Sequence, residues 1–590
     1  VFLFSSLNPK KVVMRNLILF LFIFFTNSSF GQNFLNLDFE VLKRGGEVPK
    51  NWYVGTNGYE VKAVSDKSRN GEYCLSIKSL NSNPDLFGVS TMNPPIDNFK
   101  DKNIELRGWI KTENVVDGYA GFWFRVDGPD RSLLGFDNMN DRGVIGSSDW
   151  RQFSINMKID SSLLSISFGC MLTGKGQAWF DDIEIYIEGQ KYNDIIPKIY
   201  GPTPERLKWL KQYIYPIATC DPNFDSDTDL HFLDDLIEDK RVLALGEVTH
   251  GSRDIFLMKH RLIKYLAQHK SFDLFSIEAN LPESYRINEY TVDDTGMPRN
   301  LLSGLHFWTW NTESILGMIE WMNQQNKTSK KIKFTGFDMQ YFEESISILE
   351  NAFIADQNLV SEVKELGLLL DSLKSVAAKT RGSIPQGFDK TSINQIILRI
   401  KMELSQGSYS DENREWLYRN LRIIEQFLDM TYFSRDKYMA ENFEWILNQN
   451  QNSKATIWAH NEHIKESGST SMGSHLNRSL GEDYLTVGFA FHKGSYSAYG
   501  DKGLSHYEAE ESYLGSFEYI CQAIDEPYFL VNLKKIKEED SANANWLKQK
   551  IEFRSVGALN PKSEFYETNL LDDYDFLVFI NESNHSLLLK

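Results

Sequence analysis

The sequence predicts a chain of two classes: an N-terminal all-β jelly-roll sandwich over residues 33–188, then an α/β domain over residues 205–590. The second is expected to hold a mostly parallel sheet with a helical insertion at 343–450. Three observations predict this. Short alternating segments recur between Gly, Asn, Asp and Pro turns through the first region. After a linker at 189–204, marked by Pro197, Pro202 and Pro204, apolar strand-like runs alternate with long helical patterns. A chain of 590 residues also exceeds what one core organises.

Residues 1–31 read as an export signal. Lys10, Lys11 and Arg15 supply a positive start, Leu17 to Phe25 an apolar run, and Ser28, Ser29 and Gly31 small residues near a cleavage point. Met14 is a start candidate, which would put residues 1–13 upstream of the natural protein. The run is short of the about 20 residues a bilayer span needs, and no later stretch reaches that length. The expected location is therefore outside the cytoplasm: periplasmic, cell-surface or secreted. A composition of 42% hydrophobic and 24% charged residues is that of a folded protein, and the net charge of −18 opposes a nucleic-acid or anionic-membrane partner.

In the β region the strand candidates are Tyr73–Ile77, Glu105–Lys111, Gly121–Val126, Gln152–Met157, Leu164–Phe168 and Ala178–Ile187. Its aromatic residues, Trp52, Tyr53, Trp109, Trp123, Trp150 and Trp179, read either as core or as a glycan-stacking surface. Gly169 to Gly176 has the outline of a phosphate-binding loop, but Gly176 stands where a Ser or Thr is required and a strand follows, so it reads as a β-turn. Cys74, Cys170, Cys220 and Cys521 lack metal-ligand spacing; four cysteines in an exported protein allow three disulfide pairings, and Cys74 and Cys170, in strand-like segments, read as buried free thiols.

Four phrases resemble carbohydrate-binding-module jelly rolls of the galactose-binding-like type: Asn36-Leu37-Asp38-Phe39-Glu40, Pro49-Lys50-Asn51-Trp52, Arg69-Asn70-Gly71 and Ala178-Trp179-Phe180-Asp181-Asp182-Ile183. The resemblance implies a glycan ligand. It also implies a structural calcium between first and last strands, which would fall to Glu40 and Asp182; the other reading of that pair is a turn-capping Asp and a solvated Glu.

In the second region the strand candidates are Val242–Leu245, Leu274–Ile277, Ile332–Phe337, Ala455–Ala459, Leu485–Phe491, Tyr528–Val531 and Phe576–Ile580. Four of them end in ionisable groups: Glu247 and His250, Glu278, Asp338, and His460. Adjacent parallel strands would bring these to one crevice at their carboxyl ends. Beyond His250, Ser252 is an N-cap for a helix whose stripe is Ile255, Met258, Leu262 and Leu266. Lys259 falls inside the stripe, whereas His260 and Arg261 point away from it. A buried ammonium needs a carboxylate, so Lys259 either meets Glu247 or Glu278 or runs its amine out to water. His460 and His463, at i and i+3, have the spacing of metal ligands on one helical turn.

Gly246-Glu247-Val248-Thr249-His250-Gly251 with Lys259, Ser276-Ile277-Glu278-Ala279, Thr335-Gly336-Phe337-Asp338 and Ala459-His460-Asn461-Glu462-His463 resemble the erythromycin esterase family over residues 200–590. That resemblance implies hydrolysis of an ester, a macrolide lactone in the named resistance enzymes, without a required metal. It implies His250 as general base on a water, Glu247, Glu278, His460, His463 and Lys259 as the other catalytic positions, and Asp338 and Asn461 as substrate-binding. Two features depart from the pattern. A family arginine falls at Lys259, and lysine cannot make the bidentate contact of a guanidinium; the resistance enzymes also lack an N-terminal β-domain. No G-x-S-x-G elbow or H-E-x-x-H helix occurs. The competing functional expectations are a metal-dependent hydrolase using His250, His460 and His463, and a non-catalytic surface glycan-binding protein.

Overall fold

The structure is a computed structural model. It describes residues 35–589 apart from 44–45, 56–57, 81–86, 95, 97–98, 130–131, 193–198, 329–330, 380–389, 408, 432–433 and 540. The expected signal segment, Met14 and Pro197 lie outside the described residues. These residues form two compact units, one within residues 28–198 and one from Ile199 onward.

The first unit is one antiparallel sheet of ten strands: β1 (Tyr53–Gly55), β2 (Tyr59–Val64), β3 (Cys74–Ser79), β4 (Phe87–Thr91), β5 (Asn103–Asp127), β6 (Leu133–Asp137), β7 (Val144–Lys158), β8 (Ser165–Thr173), β9 (Lys175–Ile187) and β10 (Gln190–Lys191). The main path runs β1-β4-β8-β5-β9-β3-β2 and curls nearly into a barrel. The sequence suggests two strands where the structure has the single 25-residue β5. Asn114 and Asp117 read as turn residues and do adopt positive φ, 52° and 59°, but as bulges that bend the strand without ending it. The first half of β5 pairs with β9 and its last residues with β8, so one strand serves both faces of the core.

Trp52, Trp123 and Trp179 are buried, and Trp52 also donates its indole N–H to the Leu35 and Asn36 carbonyls. Trp109 is half-buried beneath the Arg69 guanidinium, 3.8 Å from its ring centre. The loop-like Gly169–Gly176 run is mostly strand and not the β-turn expected of it: Gly169–Thr173 ends β8, Lys175 and Gly176 begin β9, and only Gly174, at φ 72°, stands between them. All four cysteines are buried free thiols.

The acidic pair expected to hold calcium is arranged otherwise. Glu40 accepts the backbone amides of Glu72 (2.9 Å) and Tyr73 (3.0 Å), and a Cβ on Gly71 would stand 2.2 Å from its Oε1. Asp182 takes the Arg69 guanidinium and the Asn70 amide. A cation and backbone donors already satisfy these oxygens, so the pair as arranged does not fit a bridging metal ion.

The second unit is built on β11 (Ile214–Pro216), β12 (Val242–Leu245), β13 (Phe272–Asn280), β14 (Lys333–Asp338), β15 (Lys454–Trp458), β16 (Tyr484–Gly500), β17 (Gly503–Glu508), β18 (Tyr528–Asn532), a ribbon of β19 (Ile551–Arg554) and β20 (Phe565–Thr568), and β21 (Phe576–Ser583). The sheet order is β11-β18-β21-β16-β12-β15-β13-β14. The run from β21 to β14 is parallel, and β18 alone reverses against β21. Buried on both faces, β12 can be the uninterrupted apolar run Val242 to Leu245. β16 continues past its parallel partners and turns back as a hairpin with β17, a pairing not anticipated in the sequence.

Helices Glu343–Ala352, Gln357–Lys379, Thr391–Gln406, Asp411–Asp429 and Arg435–Gln449 fill the expected helical region, around a core including Leu366, Leu370, Ile396, Ile400, Leu421 and Ile424. His260 and Arg261, off the apolar stripe, are nonetheless buried, at 6% and 4% exposed. Residues 219–229 cover that side of the helix Arg253–His269, where Arg261 pairs with Asp229 (2.7 Å) and the Thr219 and Ser226 carbonyls. Helical spacing identifies the stripe against the sheet but not a second layer outside it.

The Trp52→Ala variant removes the largest fully buried side chain of the β unit and should cost that unit about 3–5 kcal/mol. Chemical denaturation should show its transition moving to lower denaturant while the transition of the α/β unit stays in place.

Candidate active site

The strands carrying the singled-out ionisable groups are neighbours, β12-β15-β13-β14, and parallel, so their carboxyl ends open at one edge. The motif after β12 is tightly constrained. A Cβ on Gly246 would lie 2.1 Å from Asn461 Oδ1, and one on Gly251 would lie 1.9 Å from the Ser497 carbonyl. Both positions therefore need glycine because other chain passes against them.

Between these glycines, Glu247 is fully buried and bonded on both oxygens. Oε1 meets His250 Nδ1 at 2.7 Å; Oε2 accepts Lys259 Nζ at 2.9 Å and the Trp458 indole N–H. Burial alone would raise its pKa, but Lys259 and His250 outweigh it and hold the carboxyl below the usual range. Lys259 is also fully buried, and its ammonium lies 4.1 Å from the Trp458 ring centre. Burial brings its pKa down to about 7, against the pull of Glu247. The His250 side chain remains 12% exposed. With Nδ1–H donated to Glu247, its Nε2 lone pair is the free end of the ring.

His460 caps the short helix Asn461–Ile464: its Nδ1 accepts the Glu462 amide at 3.2 Å and its Nε2–H faces the Val248 carbonyl at 3.3 Å. Burial, then the nearby His250, lowers its pKa to about 4, so it is a neutral ring. His463 is its opposite. Nδ1 meets Asp436 at 2.7 Å and Nε2 meets Glu278 at 3.3 Å. Burial opposes its charge, but Glu278 and Asp436 prevail and lift its pKa to about 10.

Glu278 accepts Arg435 Nη2 at 2.8 Å and the His460 amide at 3.0 Å. Its pKa falls well below the usual range despite burial, because His463 and Arg435 face it. Arg435 bonds Asp338 through Nε (3.2 Å) and Nη2 (2.7 Å). Its Nη1 stands 3.1 Å from His463 Nε2, where two cations converge on Glu278.

The structure thus brings together Glu247, His250, Lys259, Glu278, His460 and His463; the His250 and His460 ring centres are 5.1 Å apart and those of His460 and His463 6.4 Å. It does not put the two expected substrate-binding residues on the pocket surface. Asp338 is fully buried and spent on Arg435, Gln340 and the Met339 amide. The Asn461 amide is closed onto the Phe489 backbone in both directions, at 2.8 and 3.1 Å, and clamps β16 beside the motif. Both residues are scaffold.

Arg435 and Asp436, from the start of the last helix of the insertion, are members that sequence reasoning missed; a lone Arg-Asp at a helix start carries no signal. Trp458 and Trp310 were missed as well, and Trp310 packs edge-on to His250 at 6.2 Å. A metal held by three imidazoles does not fit this arrangement, because both ring nitrogens of His460 and of His463 are already hydrogen-bonded to protein groups. Among the described residues no cluster of three or more His, Cys, Asp or Glu is placed to hold a metal ion.

Comparison with known proteins agrees with this geometry. The family model described as erythromycin esterase matches residues 267–583, more than half the chain. The chain belongs to the erythromycin esterase family. This family member is 22% identical over 430 residues to YbfO of Bacillus subtilis (strain 168), which carries a hydrolase name, covering 65% of this chain and 92% of YbfO. It is 26% identical over 339 residues to the type II erythromycin esterase of Escherichia coli, covering 49% and 78%. A solved Bacillus cereus structure shares the fold of the second unit at a TM-score of 0.58 and 22% identity, over 65% of this chain and 99% of that one. The Glu247–His250 motif precedes the matched segment and joins it through contacts in space. The chain is a hydrolase of this family, and among its described residues no helix is long and apolar enough to cross a membrane.

Arg435→Ala removes the guanidinium shared by two buried carboxylates, leaving His463 as the cation on Glu278 and only neutral donors on Asp338, and should cost about 3–5 kcal/mol in denaturant titrations. His463 supplies a pH signature. A folded pKa of about 10 against the ordinary 6.5 means its contribution is complete below pH 6.5 and declines as pH rises toward 10. In His463→Gln, melting temperature plotted against pH should lose that declining limb.

Proposed function

We infer that this protein hydrolyses an ester or lactone, using His250 as general base on a water and no metal. The observation that carries the reading is the short Glu247–His250 contact, with the imidazole at the exposed edge of an otherwise buried charge network. Donation of Nδ1–H to a carboxylate held ionised by Lys259 leaves Nε2 basic and oriented. Nε2 takes a proton from water as the water oxygen bonds to the ester carbonyl carbon. The tetrahedral oxyanion then collapses, breaks the bond to the alcohol oxygen and returns the proton from His250 to that oxygen. Glu247 stabilises the imidazolium in between.

The N–H groups of His460 and His463 are committed to Val248, Asp436 and Glu278. Oxyanion stabilisation therefore falls to the Arg435 and His463 positive charges, with Arg435 Nη1 the N–H group left over. Lys259 stands at the position of the family arginine and spends its ammonium on Glu247 and the Trp458 face, so the reading does not extend to macrolides. Export, from the N-terminal sequence, and glycan targeting by the β unit, from its sequence resemblance, complete the proposal: an esterase carried to glycan-bearing surfaces. No calcium is assigned to the β unit.

His250→Asn removes the base while keeping an Nδ1-like donor toward Glu247. Turnover of aryl acetates and simple lactones should fall by about 10²–10⁴-fold with little change in melting temperature. Exhaustive chelation of the parent enzyme should leave its rate intact; full activity in the variant, or loss on chelation, rejects the reading.

A further inference from the structure

The segment Asn584–Leu589, immediately after β21, lies across the catalytic motif. The Asn584 carbonyl accepts the Arg253 amide at 2.8 Å, and Asn584 gives its own amide to Asp254 at 2.6 Å. His585 bridges to Ser252, and the Ser586 amide donates to the Gly251 carbonyl at 2.8 Å. The segment then reaches a second loop. The Leu587 carbonyl accepts the Glu313 amide at 2.9 Å, Leu588 bridges to Thr312, and the Leu589 amide donates to the Asn311 carbonyl at 3.0 Å.

These two loops flank the base. Gly251 directly follows His250. Asn311 directly follows Trp310, whose ring packs on His250 and whose indole N–H donates to the Glu278 carbonyl at 3.0 Å. The Gly251 carbonyl is also held from the other side by the Ser497 amide at 3.0 Å. The segment matched by the family model ends at Ser583, one residue before these contacts begin.

We propose that Asn584–Leu589 is a positioning strap, which ties the His250 loop to the Trp310 loop by backbone hydrogen bonds and so sets the His250 ring against Glu247, Glu278 and bound ester. The proposal rests on the reading of His250 as base. It separates positioning from bulk stability because the ties lie outside the strands of the sheet and use main-chain atoms of specific residues. A displacement of about 1 Å at the base costs on the order of 100-fold in rate.

Ser586 offers a clean test. Its hydroxyl is buried with no hydrogen-bond partner, so Ser586→Ala keeps the tie and should behave as the parent. Ser586→Pro deletes the N–H given to Gly251, and Leu589→Pro deletes the one given to Asn311. Assayed well below their melting midpoints, both proline variants should lose about 10- to 100-fold in kcat with KM within about twofold. A chain ended at Ser583 should be similarly slow and recover when a peptide of residues 584–590 is added.

Parent-like kcat in the proline variants, or failure of all three altered chains to fold at any temperature, overturns the strap. His250→Asn read alongside separates the two ideas. If it is inactive while Ser586→Pro is parent-like, only the strap falls; if it is fully active, the hydrolytic reading falls.

Discussion

A single buried carboxylate organises the active-site edge of the sheet. Glu247 lies in a region where an isolated charge would cost several kcal/mol, and it is tolerated because Lys259, Trp458 and His250 each give it a donor. These partners come from the helix Arg253–His269, from β15 and from the motif's own turn. To satisfy one anion, the fold must bring three separate elements to one point. The imidazole that benefits is the one left with a free nitrogen at the surface.

A second network repeats the logic with the signs redistributed. Glu278 and Asp338 end two neighbouring strands and share Arg435, while Asp436 and Glu278 enclose His463 as a cation. Because Arg435 and Asp436 belong to the helical insertion, this region contributes side chains to the candidate site and is more than a cover over it. His460, between the two networks, stays neutral because burial and the nearby His250 both disfavour its cation. Three histidines with the same intrinsic chemistry thus become a candidate base, a neutral spacer and a fixed cation, according only to what each ring touches.

Much of this was legible in advance. Period-two and period-3.6 patterns separated the β and α/β units, and the apolar run before Gly246-Glu247 located a buried parallel strand. Lys259 inside an apolar stripe left two fates, a buried carboxylate or an amine run out to water, and the structure takes the first, with Glu247. Asp338 and Asn461 were misjudged for a common reason: a polar residue at the end of a strand looks the same in sequence whether it faces a ligand or another segment of the chain. β5 was split in two because Asn114, Asp117 and Gly118 read as a turn, whereas bulges let a curled sheet continue through them.

The sequence by itself determined the class of each unit and the strand ends where ionisable groups would gather. Local rules govern both, through side-chain period and the cost of burying charge. Tertiary structure alone decided which cation meets which anion. Arg435 pairs with Glu278 across 157 positions of chain, and Ser586 reaches Gly251 from beyond β21, with one strand between β21 and β12. Glu278 and Asp436, brought together from distant parts of the chain, hold His463 as a cation, because a pKa follows from neighbours a few ångströms away and not from position along the chain.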